Sequence, residues 1–273
     1  MTTHSAEAPS ISTVMVLNTA RGPFRVAIDG EAGAAPLVLS NSLGTTLEMW
    51  APQVEELSKS YRLIRYDTRG HGGSVVTPGP YSVDGLGQDV LAILDALQIP
   101  IASFCGLSMG GHTGLWLGAH AGKRLKSLVV CNSAARIGTV QGWKDRADTL
   151  RKGVSLGMQV LADSAPGRWF TPDFVRAQPG TVQAVQTVLA GINPEGYAAC
   201  CEALAHSDLR ADLASIKTPA LLIAGEFDPV TTVADAHSMQ AHITDARTVV
   251  LPTSHLSNLE APQAFTRTVL NFL

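Results

Sequence analysis

Ser108 stands between two glycines in the run Phe104-Cys105-Gly106-Leu107-Ser108-Met109-Gly110-Gly111. A serine hydroxyl attacks a carbonyl only when it is held exposed beside a base, and the G-x-S-x-G spacing supplies the sharp strand-to-helix turn that does this. Glycine two residues either side relieves the crowding of such a turn. Asp228 and His255 complete a possible set. Each follows an apolar run, as Ser108 does, and in open parallel sheets reactive groups gather in the loops at the carboxyl ends of strands. In that set Ser108 is the nucleophile and His255 the base that takes its proton. Asp228 orients the imidazole and stabilises the imidazolium without taking the proton itself. Two backbone amides, those of Met109 and Leu43, are the expected donors to the developing oxyanion. Asp67 and Glu226 are the competing acids. Asp67 opens the loop Asp67-Thr68-Arg69-Gly70-His71-Gly72-Gly73-Ser74, where it reads as structural, with Arg69 and His71 available to tie down backbone near the site. Glu226 alternates with Asp228 across Phe227 and should point elsewhere. The histidines at 71, 112, 120, 206, 237 and 242 read as structural.

These residues need a scaffold, and the hydrophobic pattern provides one. Residues 14–17 and 24–28 predict two short strands joined as a hairpin at the sheet edge. From residue 36 onward strands and helices alternate. Apolar runs at 36–40, 61–66, 101–105 and 125–131 read as strands. Helical spacing occupies 49–60, 86–97 and 111–121. The alternation stops near Arg136 and resumes near Thr218, where 219–225 and 248–251 are strands and 233–242 and 261–273 are helices. The stretch between is helix-rich, broken by Pro166 and Pro172, and reads as an insertion. The expected architecture is therefore a mostly parallel sheet flanked by helices, an α/β class, with a core formed by residues 1–135 and 212–273 and a helical cap formed by 136–211.

Composition narrows the function. A chain of 273 residues, 45% hydrophobic and 16% charged, can bury a large core. A formal net charge of −3, with Lys and Arg scattered, offers no basic field for nucleic acid or an anionic membrane. Residues 1–10 are polar and lack a signal-peptide pattern, and no run is long enough to span a bilayer, so cytoplasmic residence is the expectation. The four cysteines have no metal-binding spacing and read as buried free thiols; no metal or organic cofactor is implied.

The elbow, the 67–74 loop and the late acid and histidine resemble the α/β-hydrolase superfamily. Narrower stretches resemble the 3-oxoadipate enol-lactonases of aromatic catabolism. These are Ser40-Asn41-Ser42-Leu43-Gly44-Thr45 with Met49-Trp50, the run 132–138 with Trp143, Arg168-Trp169-Phe170-Thr171-Pro172, the run 196–201, and Ser254-His255-Leu256-Ser257-Asn258-Leu259-Glu260. The resemblance implies an α/β-hydrolase fold and hydrolysis of a small lactone bearing a carboxymethyl group. The substrate carboxylate would then need a cation in an otherwise apolar pocket. Arg136 is the first candidate, Arg168 the second, and Trp143 could add an indole donor and an apolar wall. Asn41-Ser42 departs from the His-Gly pair frequent in the wider superfamily, at the first oxyanion donor. Two other readings use the same residues: a related carboxylesterase or cofactor-free perhydrolase, and a non-catalytic small-molecule receptor. Neutral-ester turnover, or ligand binding without product, would separate them. Oligomeric state is not legible.

Overall fold

Runs such as Leu37-Val38-Leu39 and Leu221-Leu222-Ile223-Ala224 have no polar face, so as strands they must be covered on both sides. The computed structural model, which describes residues 12–152 and 156–273, builds them into one eight-stranded sheet. The polar stretch 1–10 lies outside the described residues. The strands are β1 (Thr13–Thr19), β2 (Gly22–Asp29), β3 (Ala35–Ser40), β4 (Tyr61–Tyr66), β5 (Ala102–Leu107), β6 (Leu125–Cys131), β7 (Ala220–Gly225) and β8 (Ala246–Leu251). Their order is β1-β2-β4-β3-β5-β6-β7-β8. β1 and β2 form an antiparallel hairpin paired antiparallel to β4, and all other pairings are parallel. β3 therefore pairs with both β4 and β5, and the strand order reverses there, which opens a crevice at the carboxyl ends. The loop after β3 and the loop after β5 face each other across it.

Helices cover the sheet. A 3₁₀ turn (Leu47–Trp50) leads into α1 (Ala51–Leu57), where the periodicity alone suggested one longer helix. α2 (Val83–Ala96) precedes β5, and α3 (Met109–His120) follows it without a gap after Ser108. Ile101, expected in a strand, is exposed just before β5, and the strand runs on to Leu107. Between β6 and β7 lie α4 (Val140–Lys152), α5 (Leu156–Ser164), α6 (Pro166–Trp169), α7 (Pro172–Ala177), α8 (Pro179–Ala190) and α9 (Pro194–Ala205). α10 (Val233–Gln240), α11 (Ser257–Glu260) and α12 (Pro262–Leu270) complete the chain. Among the described residues no helix is long and apolar enough to cross a membrane.

The inserted helices sit firmly on the core. α9 is buried from Gly196 to Ala205 except at Glu202, and Gly196 meets Gly70 so closely that a Cβ on Gly196 would lie 2.1 Å from the Gly70 carbonyl oxygen. Only glycine allows that approach. At the neck, the Leu209 amide donates to the Ala135 carbonyl at 2.8 Å, so the chain leaves and re-enters the core at one point. His112 on α3 bridges both strands of the neck: its Nδ1–H donates to the Ala134 carbonyl at 2.7 Å and its Nε2 accepts from the Ser207 hydroxyl at 2.7 Å. The carbonyl fixes the proton on Nδ1, and the hydroxyl, which can donate or accept, satisfies Nε2 of the neutral ring. Burial also pushes its pKa down to about 4.

That depression has a measurable sign. The folded ring is neutral while the unfolded chain binds a proton below about pH 6.5. Its stability contribution is full above that value and is lost as pH falls toward about 4. His71, buried and likewise lowered to about 4, adds to the loss. Thermal melts from pH 7 to pH 4 should fall steadily, and His112→Gln should fall less steeply. Parallel curves would show that this imidazole does not titrate on unfolding.

Candidate active site

Strain begins the site. Ser108 has φ 56° and ψ −115°, a conformation that a non-glycine residue holds only when its surroundings impose it. They do so by hydrogen bonds on both sides: its amide donates to the Cys131 carbonyl at 2.8 Å, and its carbonyl accepts from the Ser133 hydroxyl at 2.8 Å. Crowding explains the glycines, since a Cβ on Gly106 would lie 2.2 Å from the Gly110 carbonyl and one on Gly110 would lie 2.2 Å from that of Ser40. The result is a buried turn whose hydroxyl lines a cavity of about 360 Å³. His255 lines the same cavity.

Behind His255 stands Asp228, in the loop after β7. The His255 Nδ1–H donates to Asp228 Oδ2 at 2.8 Å, which leaves Nε2 for the serine proton. Asp228 is heavily hydrogen-bonded. Oδ2 also accepts from the Thr231 hydroxyl (2.8 Å) and the Asn132 side-chain amide (3.1 Å), and Oδ1 accepts from the amides of Val230 (2.8 Å) and Thr231 (3.1 Å). Burial alone would raise the carboxyl pKa, but the neighbouring His255 and these donors outweigh it and hold the group below the usual carboxylate range. Asn132, which sequence reasoning did not single out, has φ 44° and also donates to the Ser254 carbonyl at 3.1 Å. One amide thus braces the acid and the histidine loop together. Glu226 is exposed and points away.

Across the crevice lies the loop after β3. The Leu43 amide and the Met109 amide, first in α3, have no protein acceptor among the described residues. Leu43 shares the cavity with Ser108. The 67–74 loop holds this turn in place. His71 Nε2 accepts from the Gly44 amide at 3.0 Å, and Asp67 accepts from the amides of Leu47 (2.8 Å) and Gly73 (2.9 Å). Arg69 makes a buried ion pair with Asp89 instead.

The cation candidates separate clearly. Arg136 is exposed, with its guanidinium 3.7 Å from Asp208, and does not line the cavity. Its neighbours Ala135 and Ile137 take the inward positions, so its side chain turns outward. Arg168 does line the cavity, and so does Arg146, which the sequence reading missed. The signal was present: Arg146 follows Trp143 by three residues on α4 and so shares its face. Trp143 walls the cavity, but its indole N–H donates to the Ile137 carbonyl at 2.6 Å and is not free for a ligand. Arg146 lies over the Trp143 ring at 4.8 Å. Among the described residues neither Arg146 nor Arg168 has a carboxylate within ion-pair distance; the Arg168 guanidinium donates to the Ser164 hydroxyl and carbonyl at 3.0 and 3.2 Å. Burial, reinforced by Arg146, lowers the Arg168 pKa. A partly buried pair of like charges without an acid beside it is costly until an opposite charge offsets it. Among the described residues no cluster of three or more His, Cys, Asp or Glu side chains could hold a metal ion.

Known proteins share this design. The family profile of the α/β hydrolase fold matches residues 35–175. Two curated relatives come from Acinetobacter baylyi. One, 3-oxoadipate enol-lactonase 2, is 49% identical over 88% of this chain and 89% of its own length. The other, 3-oxoadipate enol-lactonase 1, is 44% identical over 96% and 97%. The crystal structure of an enol-lactonase from Burkholderia xenovorans superposes with a TM-score of 0.92 at 45% identity, covering 94% of this chain and 99% of that one.

Proposed function

The chain belongs to the α/β-hydrolase family and, within it, to the 3-oxoadipate enol-lactonases, and from that premise we propose how its own residues open the lactone of 3-oxoadipate. Ser108 Oγ attacks the lactone carbonyl while His255 Nε2 takes its proton. The carbonyl oxygen, now negative, is received by the Leu43 and Met109 amides. Collapse breaks the acyl–oxygen bond, and the ring oxygen leaves as an enolate, takes a proton and tautomerises to the ketone. Water activated by His255 then hydrolyses the acyl-Ser108 ester, giving 3-oxoadipate and the free serine. An enolate is a good leaving group, so little acid assistance is needed.

The observation that carries this reading is the joint occupancy of one cavity by Ser108, His255 and two arginines that have no acidic partner among the described residues. A neutral ester has no use for those charges. The carboxymethyl group of the lactone does, and Arg168 and Arg146 would hold it.

The test is ultraviolet-monitored turnover of freshly generated enol-lactone beside hydrolysis of a neutral aryl ester. Arg168→Ala should raise KM for the lactone about 10- to 100-fold, the worth of one charged hydrogen bond, and leave the aryl ester nearly unchanged. Equal losses on both would remove Arg168 from carboxylate recognition. Wild-type cleavage of the aryl ester without lactone turnover would favour a carboxylesterase.

A further inference from the structure

Two stretches that stood out in the sequence, the Arg168-Trp169-Phe170-Thr171-Pro172 run and the Ser254 to Glu260 run, are far apart in the chain and meet in the fold. The Leu256 amide donates to the Trp169 carbonyl at 3.0 Å. Glu260, the last residue of α11, divides its carboxylate between the two stretches. Oε1 accepts from the Thr171 amide at 3.1 Å and from the Thr171 hydroxyl, while Oε2 accepts from the Ser254 amide at 2.8 Å. Ser254 immediately precedes His255, and Thr171 lies three residues beyond Arg168. One partly buried side chain is therefore clamped between the segment that carries the base and the segment that carries a cavity arginine.

All three donors to Glu260 are neutral, so charge pairing does not explain its presence. Its geometry does: a carboxylate is the one side chain of this length whose two oxygens both accept only. We propose that Glu260 is a positioning residue that fixes the separation of Arg168 from His255, and with it the register of the substrate carboxylate against Ser108. The inference deepens the lactonase reading and rests on it. Displacements of about 1 Å between binding and reacting groups are enough to cost large factors in rate.

Glutamine distinguishes this role from simple support of the fold. Its one carbonyl oxygen can keep the Ser254 amide, and its NH₂ can donate to the Thr171 hydroxyl oxygen. The Thr171 amide is then left facing a donor. The cap side loosens while the histidine side holds. Alanine breaks both.

The experiment follows hydrolysis of p-nitrophenyl acetate, with adipate as a competitive inhibitor reporting anion binding, and turnover of the enol-lactone. In Glu260→Gln, kcat/KM for the acetate ester should stay within about 3-fold of wild type, while the adipate Ki and the lactone KM rise about 10-fold or more. Thr171→Val, which removes the hydroxyl and keeps the amide, should give a smaller rise in the same two quantities and a further rise in the Gln background, where that hydroxyl holds the contact that remains. Glu260→Ala should lose both substrates together. Equal effects of Glu260→Gln on ester and anion, or no change in the adipate Ki, would overturn the proposal. So would a wild type that adipate does not inhibit. A wild type that cleaves the ester and binds adipate but does not open the lactone would overturn the substrate assignment alone, leaving the Glu260 comparison readable.

Discussion

Ser108→Ala should lower kcat for the enol-lactone by about 10⁴- to 10⁶-fold, the range seen when the nucleophile of a serine hydrolase is removed. The residue acts through its hydroxyl alone. The backbone that holds the turn, the amide to Cys131 and the carbonyl from Ser133, is untouched by the change. The variant should fold with an unchanged melting profile. Its arginines remain in place, so it should still bind the lactone, with a dissociation constant near that of wild type. Rapid-quench turnover and calorimetric binding together make the check. Retention of more than a few per cent of wild-type kcat would mean that water attacks directly and that Ser108 is not the nucleophile.

Asp228→Asn should cost about 10³- to 10⁴-fold in kcat, and here a stability loss should accompany it. The reason lies in the five donors around the carboxylate. If the new NH₂ replaces Oδ2 it faces the His255 N–H and the Asn132 amide; if it replaces Oδ1 it faces the amides of Val230 and Thr231. Either orientation leaves buried donors without acceptors, at about 1–3 kcal/mol each. A drop in Tm of about 2–10 °C follows. In the first orientation the imidazole also loses the partner that fixes its tautomer, so kcat falls while KM for the lactone changes little. The linkage has a definite sign. Because the folded carboxyl is held below its ordinary value, its contribution to stability is present above the unfolded pKa and is lost as pH falls through the folded one. A variant with full activity would remove Asp228 from the mechanism.

The catalytic candidates were legible because each is announced locally. Ser108 is fixed by glycines two residues away, and Asp228 and His255 each follow a strand whose apolar run can be read directly. The sheet was legible for the same reason. The arginines of the cavity were only partly legible, Arg168 as a second candidate and Arg146 not at all, because which arginine faces a cavity depends on helix rotation and on contacts remote in sequence. Arg136 looked well placed, one residue beyond a core strand segment, but Ala135 and Ile137 occupy the inward positions. Trp143 was legible as a wall, while the use of its N–H by Ile137 depends on how the 137–139 turn folds back on α4. Glu260 was visible only as part of a resemblance motif. Its partners Thr171 and Ser254 lie 89 and 6 residues away, a combination that no local pattern encodes.

The single-point neck formed by Ala135 and Leu209 makes the inserted helices an exchangeable module. A chain whose outgoing and returning segments meet at adjacent backbone partners, as Ala135 and Leu209 do, can have everything in between replaced while β6 and β7 keep their pairing. The inserted helices could therefore be exchanged with Ser108, Asp228 and His255 left in place, since all three lie outside the segment between Ala135 and Leu209. Two grafting rules come with the exchange. The incoming helix must offer a residue without a side chain opposite Gly70, and the incoming loop must offer donors to Glu260.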